Sequence, residues 1–219
     1  AVRDGTGNLA ISLTSSPRAI EWNKGAWVLA LTDFPRSTAM LDYQLAHSDD
    51  VASRNEALSL LSARPRDGAA TRAIAAESHA ERFWGLRARA VQLLAIYAAD
   101  SVARSSVARS SVARSAVIAA VRDPDSRVRQ SAVAALASFS GSDTDSLLTS
   151  EVRGDASPIV RGFALASYIK VAGDSALPLA REVMLQTWWH DVLRAPAMTV
   201  LKGMQSEAAR ELYQKYAKQ

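Results

Sequence analysis

One register runs through this chain and leaves little freedom in what it can fold into. Aligned on an arginine, five stretches agree: SRNEALSLL from Ser53, LRARAVQLL from Leu86, VRQSAVAAL from Val128, VRGFALASY from Val160 and LRAPAMTVL from Leu193. Three residues after the arginine (Arg54, Arg87, Arg129, Arg161, Arg194) each has an alanine: Ala57, Ala90, Ala132, Ala164 and Ala197. At the fourth place stand Leu58, Val91, Val133, Leu165 and Met198, and at the seventh Leu61, Leu94, Leu136, Tyr168 and Leu201. Steps of three, four and seven fall on one side of an α-helix. The successive arginines lie 33, 42, 32 and 33 residues apart. That interval fits a unit of two helices stacked on its neighbours, because a single pair cannot bury its own apolar stripe. The alanine has a place in such a stack: two helices approach closely there, and a larger side chain would push them apart.

Helical patterning begins at Ser37 and continues to the end. The expected pairs are 37–46 with 51–63, 69–78 with 83–98, a helix ending near Arg122 with 126–136, 145–152 with 158–171, and 175–186 with 191–202. A last helix spans 206–216. Ser37 suits an N-cap and Pro158 a first helical position, where its missing N–H is no loss. The long interval of 42 contains SVARS three times in tandem, Ser101 to Ser115, and two extra copies supply its surplus residues. A five-residue step turns a helix by about 140°, so Val102, Val107 and Val112 cannot share a face. The extra copies are expected outside the core, as a helical extension or a surface loop. Arg104, Arg109 and Arg114 could alternatively form a comb for an acidic partner.

The first 34 residues follow another pattern. Asn8 to Thr14 alternates apolar and polar as a strand does, Ser15-Ser16-Pro17 reads as a turn, Ala19 to Asn23 as a second extended run and Lys24-Gly25 as a second turn. Ala26 to Leu31 is continuously apolar and fits a third strand or a buried turn of helix. Two or three strands without return partners are marginal in water. The segment therefore reads as the tail of a β domain, and the chain opens at Ala1, not Met, which fits an upstream portion.

Sites for chemistry are sparse. There is no cysteine, which removes disulfides and thiol chemistry without naming a compartment. His47, His79 and His190 stand apart, with no HExxH or HxH spacing among them. GxSxG and GxxxxGK[ST] are both missing. Asp49-Asp50, Asp123/Asp125 and Asp143/Asp145 precede helices, where carboxylates cap and complement the dipole. The site reading is accordingly empty: no catalytic, cofactor-binding or metal residue. The five arginines read as structural, each pairing with an acid of its own or the neighbouring unit; candidates are Asp49 or Asp50 for Arg54, Asp125 for Arg129 and Asp155 for Arg161. Trp188, Trp189 and His190 fill a turn or form a contact patch. A net charge of +4, dispersed along the chain, argues against a nucleic-acid face. No apolar run reaches the ~18 residues of a membrane span.

The unit, D-x-x-x-V-R-x-x-A-x-x-x-L, is similar to HEAT repeats, and Asp125 to Ala132 matches it well; Ser53 in the first copy and Pro196 in the last depart from it. The expected fold is therefore mainly α: an α-solenoid of about five HEAT-like helix pairs (35–219) preceded by a short β segment (1–34). A further resemblance covers essentially the whole chain. Trp22, Lys24, Gly25, Trp27, Leu29, Phe34, Pro35, Tyr43-Gln44-Leu45, Arg54 and Phe83-Trp84-Gly85-Leu86-Arg87 resemble the C-terminal region of bacterial M1-family zinc aminopeptidases. There, strands finishing a β-sandwich domain run into a HEAT-like helical domain. The resemblance implies a parent metallopeptidase whose zinc, HExxH helix and downstream glutamate belong to a separate catalytic domain. This chain would then be inactive alone, pack on the catalytic and β-sandwich domains of its parent, and limit access of peptide substrates. The alternative is a free-standing HEAT-type scaffold that binds a protein partner.

Overall fold

A computed structural model describes residues 2–3, 6–7, 10–25, 27–29, 34–99, 107–139, 143–186 and 191–217. The chain is mainly helical. The helices are α1 (Thr38–His47), α2 (Val51–Ser62), α3 (Gly68–Ala80), α4 (Trp84–Ala99), α5 (Val107–Ala120), α6 (Ser126–Leu136), α7 (Thr144–Gly154), α8 (Pro158–Ala172), α9 (Leu177–Met184), α10 (Ala195–Gly203) and α11 (Glu207–Tyr216). Short polar residues start several of them. Met40 N–H donates to Ser37 Oγ, Ser53 N–H to Asp50, Ala69 N–H to Asp67, Arg127 N–H to Asp125 and Ala209 N–H to Ser206 Oγ. Each bond satisfies an amide that has no partner inside its helix. Prolines set other starts: α8 begins at Pro158, while α9 and α10 each carry a proline in the first turn. Both of these helices are shorter than the patterning predicts, since a proline is tolerated only before the hydrogen-bonded ladder begins. Residues 173–176 form a 3-10 turn ahead of α9 instead of its first turn.

The packing is layered. Helices α1 with α2, α3 with α4, α5 with α6 and α7 with α8 touch as consecutive pairs. The second members also touch in series, α2 to α4 to α6 to α8 to α10, and α1, α3 and α5 form a row of their own. Helix α11 packs on α9 and α10. The core runs along the seam between these rows. All five alanines of the register are wholly buried, as are Leu58, Val91, Val133, Leu165, Leu61, Leu94, Leu136 and Leu201. Tyr168 and Met198, the bulkier choices at their places, are half-buried. At one point the approach is closer than any side chain permits. A Cβ on Gly162 of α8 would lie 2.7 Å from the Leu193 carbonyl oxygen and 2.8 Å from that of Val192.

The expected β segment is not formed. The described parts of 8–14, 19–23 and 26–31 have no strand, and among the described residues the only backbone ladder joins Val2–Arg3 to Thr6–Gly7. Alternating apolar residues make a strand only when a partner takes up the backbone bonds, and none lies alongside among the described residues. The turn at Lys24-Gly25 does form. Asn23 (φ 51°) and Gly25 (φ 83°) adopt the left-handed conformation, and the Asn23 side chain binds both N–H and C=O of Val28. An asparagine tolerates that conformation and holds the turn with its own amide.

The first SVARS copy lies outside the described residues, as do Ser106 and the side chains of 107–109. The third copy belongs to α5: Ala113 is buried, Val112 half-buried, and Arg114 pairs with Asp143. Arg114 is therefore engaged within the chain. Arg104 of the suggested comb lies outside the described residues.

Candidate functional site

The arginine of each unit sits near the head of its helix, and the guanidinium works in two directions. One edge turns back to a carbonyl six residues upstream: Arg54 Nη1 donates to Ser48 O (2.9 Å), Arg87 Nη1 to Glu81 O (2.9 Å) and Arg129 Nη1 to Asp123 O (3.0 Å). The other edge reaches forward into the next unit with two parallel bonds. Arg54 Nε and Nη2 meet the Glu81 carboxylate at 2.6 and 3.1 Å. Arg87 meets Asp123 at 2.7 and 2.9 Å, and Arg129 meets Asp155 at 2.8 and 2.9 Å. Arg161 continues the series with an amide, Nη2 to Gln186 Oε1 at 2.9 Å, and its Nε donates to Val152 O. Arg194 stands over the Tyr216 ring instead, 5.4 Å from its centroid.

Each acceptor also holds a turn. The carboxylates of Glu81, Asp123 and Asp155 accept the N–H two residues on, from Phe83, Asp125 and Ser157. Ser48 does the same for Asp50 with its hydroxyl. Glu81, Asp123 and Asp155 thus each fix the start of their own helix and receive the arginine of the preceding unit. Bidentate pairing in a place sheltered from water gives orientation as well as attraction.

Pairing with an acid of a neighbouring unit is as expected, but the partners differ from the candidates named above. Asp50 caps α2 and Asp125 caps α6; Asp49 pairs with Lys24, and Asp125 also with Arg127. Asp155 belongs to Arg129, not Arg161. The nearest acid in sequence is occupied by the helix end, so the arginine passes over it. Asp123 is likewise a ladder acceptor instead of a cap, and Asp143 pairs with Arg114 without capping α7. The signal that would have found the partners is the recurrence of Ser48, Glu81, Asp123 and Asp155, each six residues before its arginine.

Two rungs carry a second carboxyl one helical turn before the acceptor. Glu77 precedes Glu81, and Glu151 precedes Asp155; all four are buried or nearly so. Burial pushes Glu77 up to about 8, and the hydrogen bond and charge of Glu81 add to it against the pull of Arg54. Burial also acts to raise Glu81, but the bonds from Arg54, Phe83 N–H and Glu77 outweigh it and hold Glu81 below the usual carboxylate range. Burial raises Glu151 in the same way, with Arg122 and Arg129 opposing. Asp155 ends below its ordinary value because Arg129 and the Ser157 N–H overcome the cost of burial. The lower value belongs in each case to the acid that holds the arginine.

Two concave surfaces adjoin the ladder. A cleft of about 210 Å³ between α1, α2 and α3 is lined by Asp42, Ser48, Arg54, Glu77 and Glu81. A groove of about 260 Å³ crosses α4, α6 and α8 and is lined by Gln92, Gln130, Ser131, Ala134, Ala135 and Phe163. Gln92 donates to Ser131 Oγ, which leaves its amide oxygen free of any bond to described residues. Ser48, which lines the first cleft, donates its hydroxyl to the Glu21 carboxylate at 2.8 Å. His47 stacks on Tyr43 with Nδ1 3.0 Å from its carbonyl, and His79 is exposed. Trp188, Trp189 and His190 lie outside the described residues. No group of three His, Cys, Asp or Glu among the described residues is arranged to hold a metal ion, and no described helix is long and apolar enough to cross a membrane.

No protein-family model, curated protein or solved structure matches the chain.

Proposed function

We propose that this chain is the C-terminal helical region of an M1-type zinc aminopeptidase. In that reading its helix pairs form a HEAT-like α-solenoid that packs on the catalytic domain and limits which peptides reach the zinc. The supporting observation is the segment before α1. It is tied to the head of the helices: Lys24 pairs with Asp49, Gly25 N–H donates to Asp50 and Ser48 Oγ to Glu21. Its apolar side chains nevertheless face solvent, Trp27 and Leu29 almost entirely and Ile11, Leu13 and Trp22 for the larger part. A run of exposed tryptophan and aliphatic residues, anchored at one end, suits a surface that another layer of protein covers. The β-sandwich and catalytic domains of the parent would supply that layer. The catalytic domain would also supply the HExxH helix and zinc, so the chain alone would cleave nothing.

The groove across α4, α6 and α8 favours a second reading, a free-standing HEAT-type scaffold. Its lining of side-chain amides, a hydroxyl and alanines suits an extended peptide whose backbone seeks donors and acceptors.

The coding sequence upstream of Ala1 separates the two. An open frame carrying HExxH and a later glutamate supports the peptidase reading; a start codon beside Ala1 overturns it and leaves the scaffold. In the parent enzyme, removal of residues 35–219 is expected to widen the range of peptide lengths cleaved while leaving hydrolysis of a single aminoacyl amide in place.

A further inference from the structure

The joint of the first helix pairs contains a buried carboxyl pair that neither reading uses. Glu77 on α3 and Glu81 just beyond its end are 8% and 6% exposed. One cation, Arg54 of α2, is bonded to the pair: its Nε and Nη2 both donate to Glu81, while its Nη1 donates to the Ser48 carbonyl. Asp42 of α1 adds a further negative charge from the facing wall of the cleft, and Arg82 lines the same cleft. Arg87 of α4 donates to the Glu81 and Arg82 carbonyls and to the Asp123 carboxylate, and no charged residue of α5 lines the cleft among the described residues. Two sheltered carboxylates sharing one guanidinium repel each other strongly when both are ionised. A proton on Glu77 removes that repulsion and turns it into a donor to Glu81, which keeps its charge for Arg54.

The second rung shows what is special here. Arg87 and Asp123 form the same bidentate pair, but Ala119 stands one turn before the acid, so no second carboxyl is present. At the third rung Glu151 repeats the arrangement with Arg122 as an additional cation beside it. The first joint therefore has the greatest excess of carboxyl groups over cations.

We propose that Glu77 is a proton-operated latch on the joint of α1, α2 and α3: a proton shared with Glu81 holds these helices around Arg54, and its loss loosens them. The direction follows from linkage. The folded joint keeps the proton up to about pH 8, whereas an opened joint surrenders it near the ordinary glutamate value. Opening therefore releases a proton between roughly pH 5 and 8. The latch weakens across that window and no further above it.

Hydrogen exchange on the full chain from pH 5 to 9, corrected for the intrinsic exchange rate, tests this beside the variant Glu77→Gln. Amides of α1 and α3 in the native protein should lose protection by up to about tenfold per pH unit and level off above pH 8. In Glu77→Gln, which keeps a donor but no charge, the same amides should show no such slope. The histidines are common to both proteins, so the difference isolates Glu77. Equal slopes in the two proteins, or none in the native one, overturn the proposal. Should Glu77→Gln fail to fold, the titration of the Glu77 carboxyl in the native chain by nuclear magnetic resonance decides. A midpoint near 8 supports the latch, and one at the ordinary glutamate value overturns it.

Discussion

Arg87 and Asp123 are the simplest rung in which to ask what the ladder contributes. Their side chains are 12% and 7% exposed, so either one left alone would be a charge largely removed from water. Arg87→Ala or Asp123→Ala is expected to cost about 3–5 kcal/mol in denaturant unfolding. The double variant should lose clearly less than the sum, because it leaves no orphaned charge. Additive losses would mean that the two groups act separately. The arginines were legible in the sequence and their partners were not. A reader working outward from Arg129 meets Asp125 first, but that carboxylate is already committed to the amide of Arg127 and to its guanidinium. The true acceptor, Asp155, is 26 residues away. Only the folded stack brings it within reach, although an acid six residues before the next arginine was written three times, as Glu81, Asp123 and Asp155.

Helices are the scale at which the periodicity spoke most clearly, and also where it misled. From α1 to α8 the expected and observed segments agree closely, since apolar stripes, capping residues and Pro158 all favour the same boundaries. The segment before α1 shows the opposite case. Its alternation of Leu9, Ile11 and Leu13 states a preference for pairing, and among the described residues no partner is there to make Ile11 and Leu13 part of a strand. Two changes probe the helical part. Gly162→Ala places a methyl group against two backbone oxygens at the head of α10, and should lower stability by about 1–3 kcal/mol; unchanged unfolding would show that α8 and the 191–194 turn separate freely. Deleting Ser101–Ser110 should shift the melting temperature by no more than a few degrees. One intact SVARS copy still leads into Ala113 and Val117 of α5, and the closure cost of a connection changes only slowly with its length. A collapse in stability would place the extra copies inside the core.

For the whole molecule, the charge pairs set a response to acid. Glu56 is held below its ordinary value by Arg36, and Asp67 by the Thr38 hydroxyl and the Ala69 N–H. Arg127 lowers Asp125 to about 2. Groups lowered in the folded state stabilise it fully above their unfolded values and lose that contribution as pH falls through the folded ones. The melting temperature should therefore drop between about pH 4.5 and 2, and Glu56→Gln should blunt the drop; a flat profile would show that these pairs persist in the unfolded chain. The ladder has one more consequence at this scale. Arg54, Arg87 and Arg129 each reach into the succeeding unit, where Glu81, Asp123 and Asp155 offer the carboxylate, so the series has a direction, like tiles with a tongue on one edge and a groove on the other. A copy of a whole unit spliced in frame would find both edges matched, while a partial copy would leave one tongue without its groove. Growth by complete units is therefore the change this architecture accepts most readily; the two extra SVARS copies, by contrast, fall in the sequence between the ladder residues Arg87 and Asp123 and include neither.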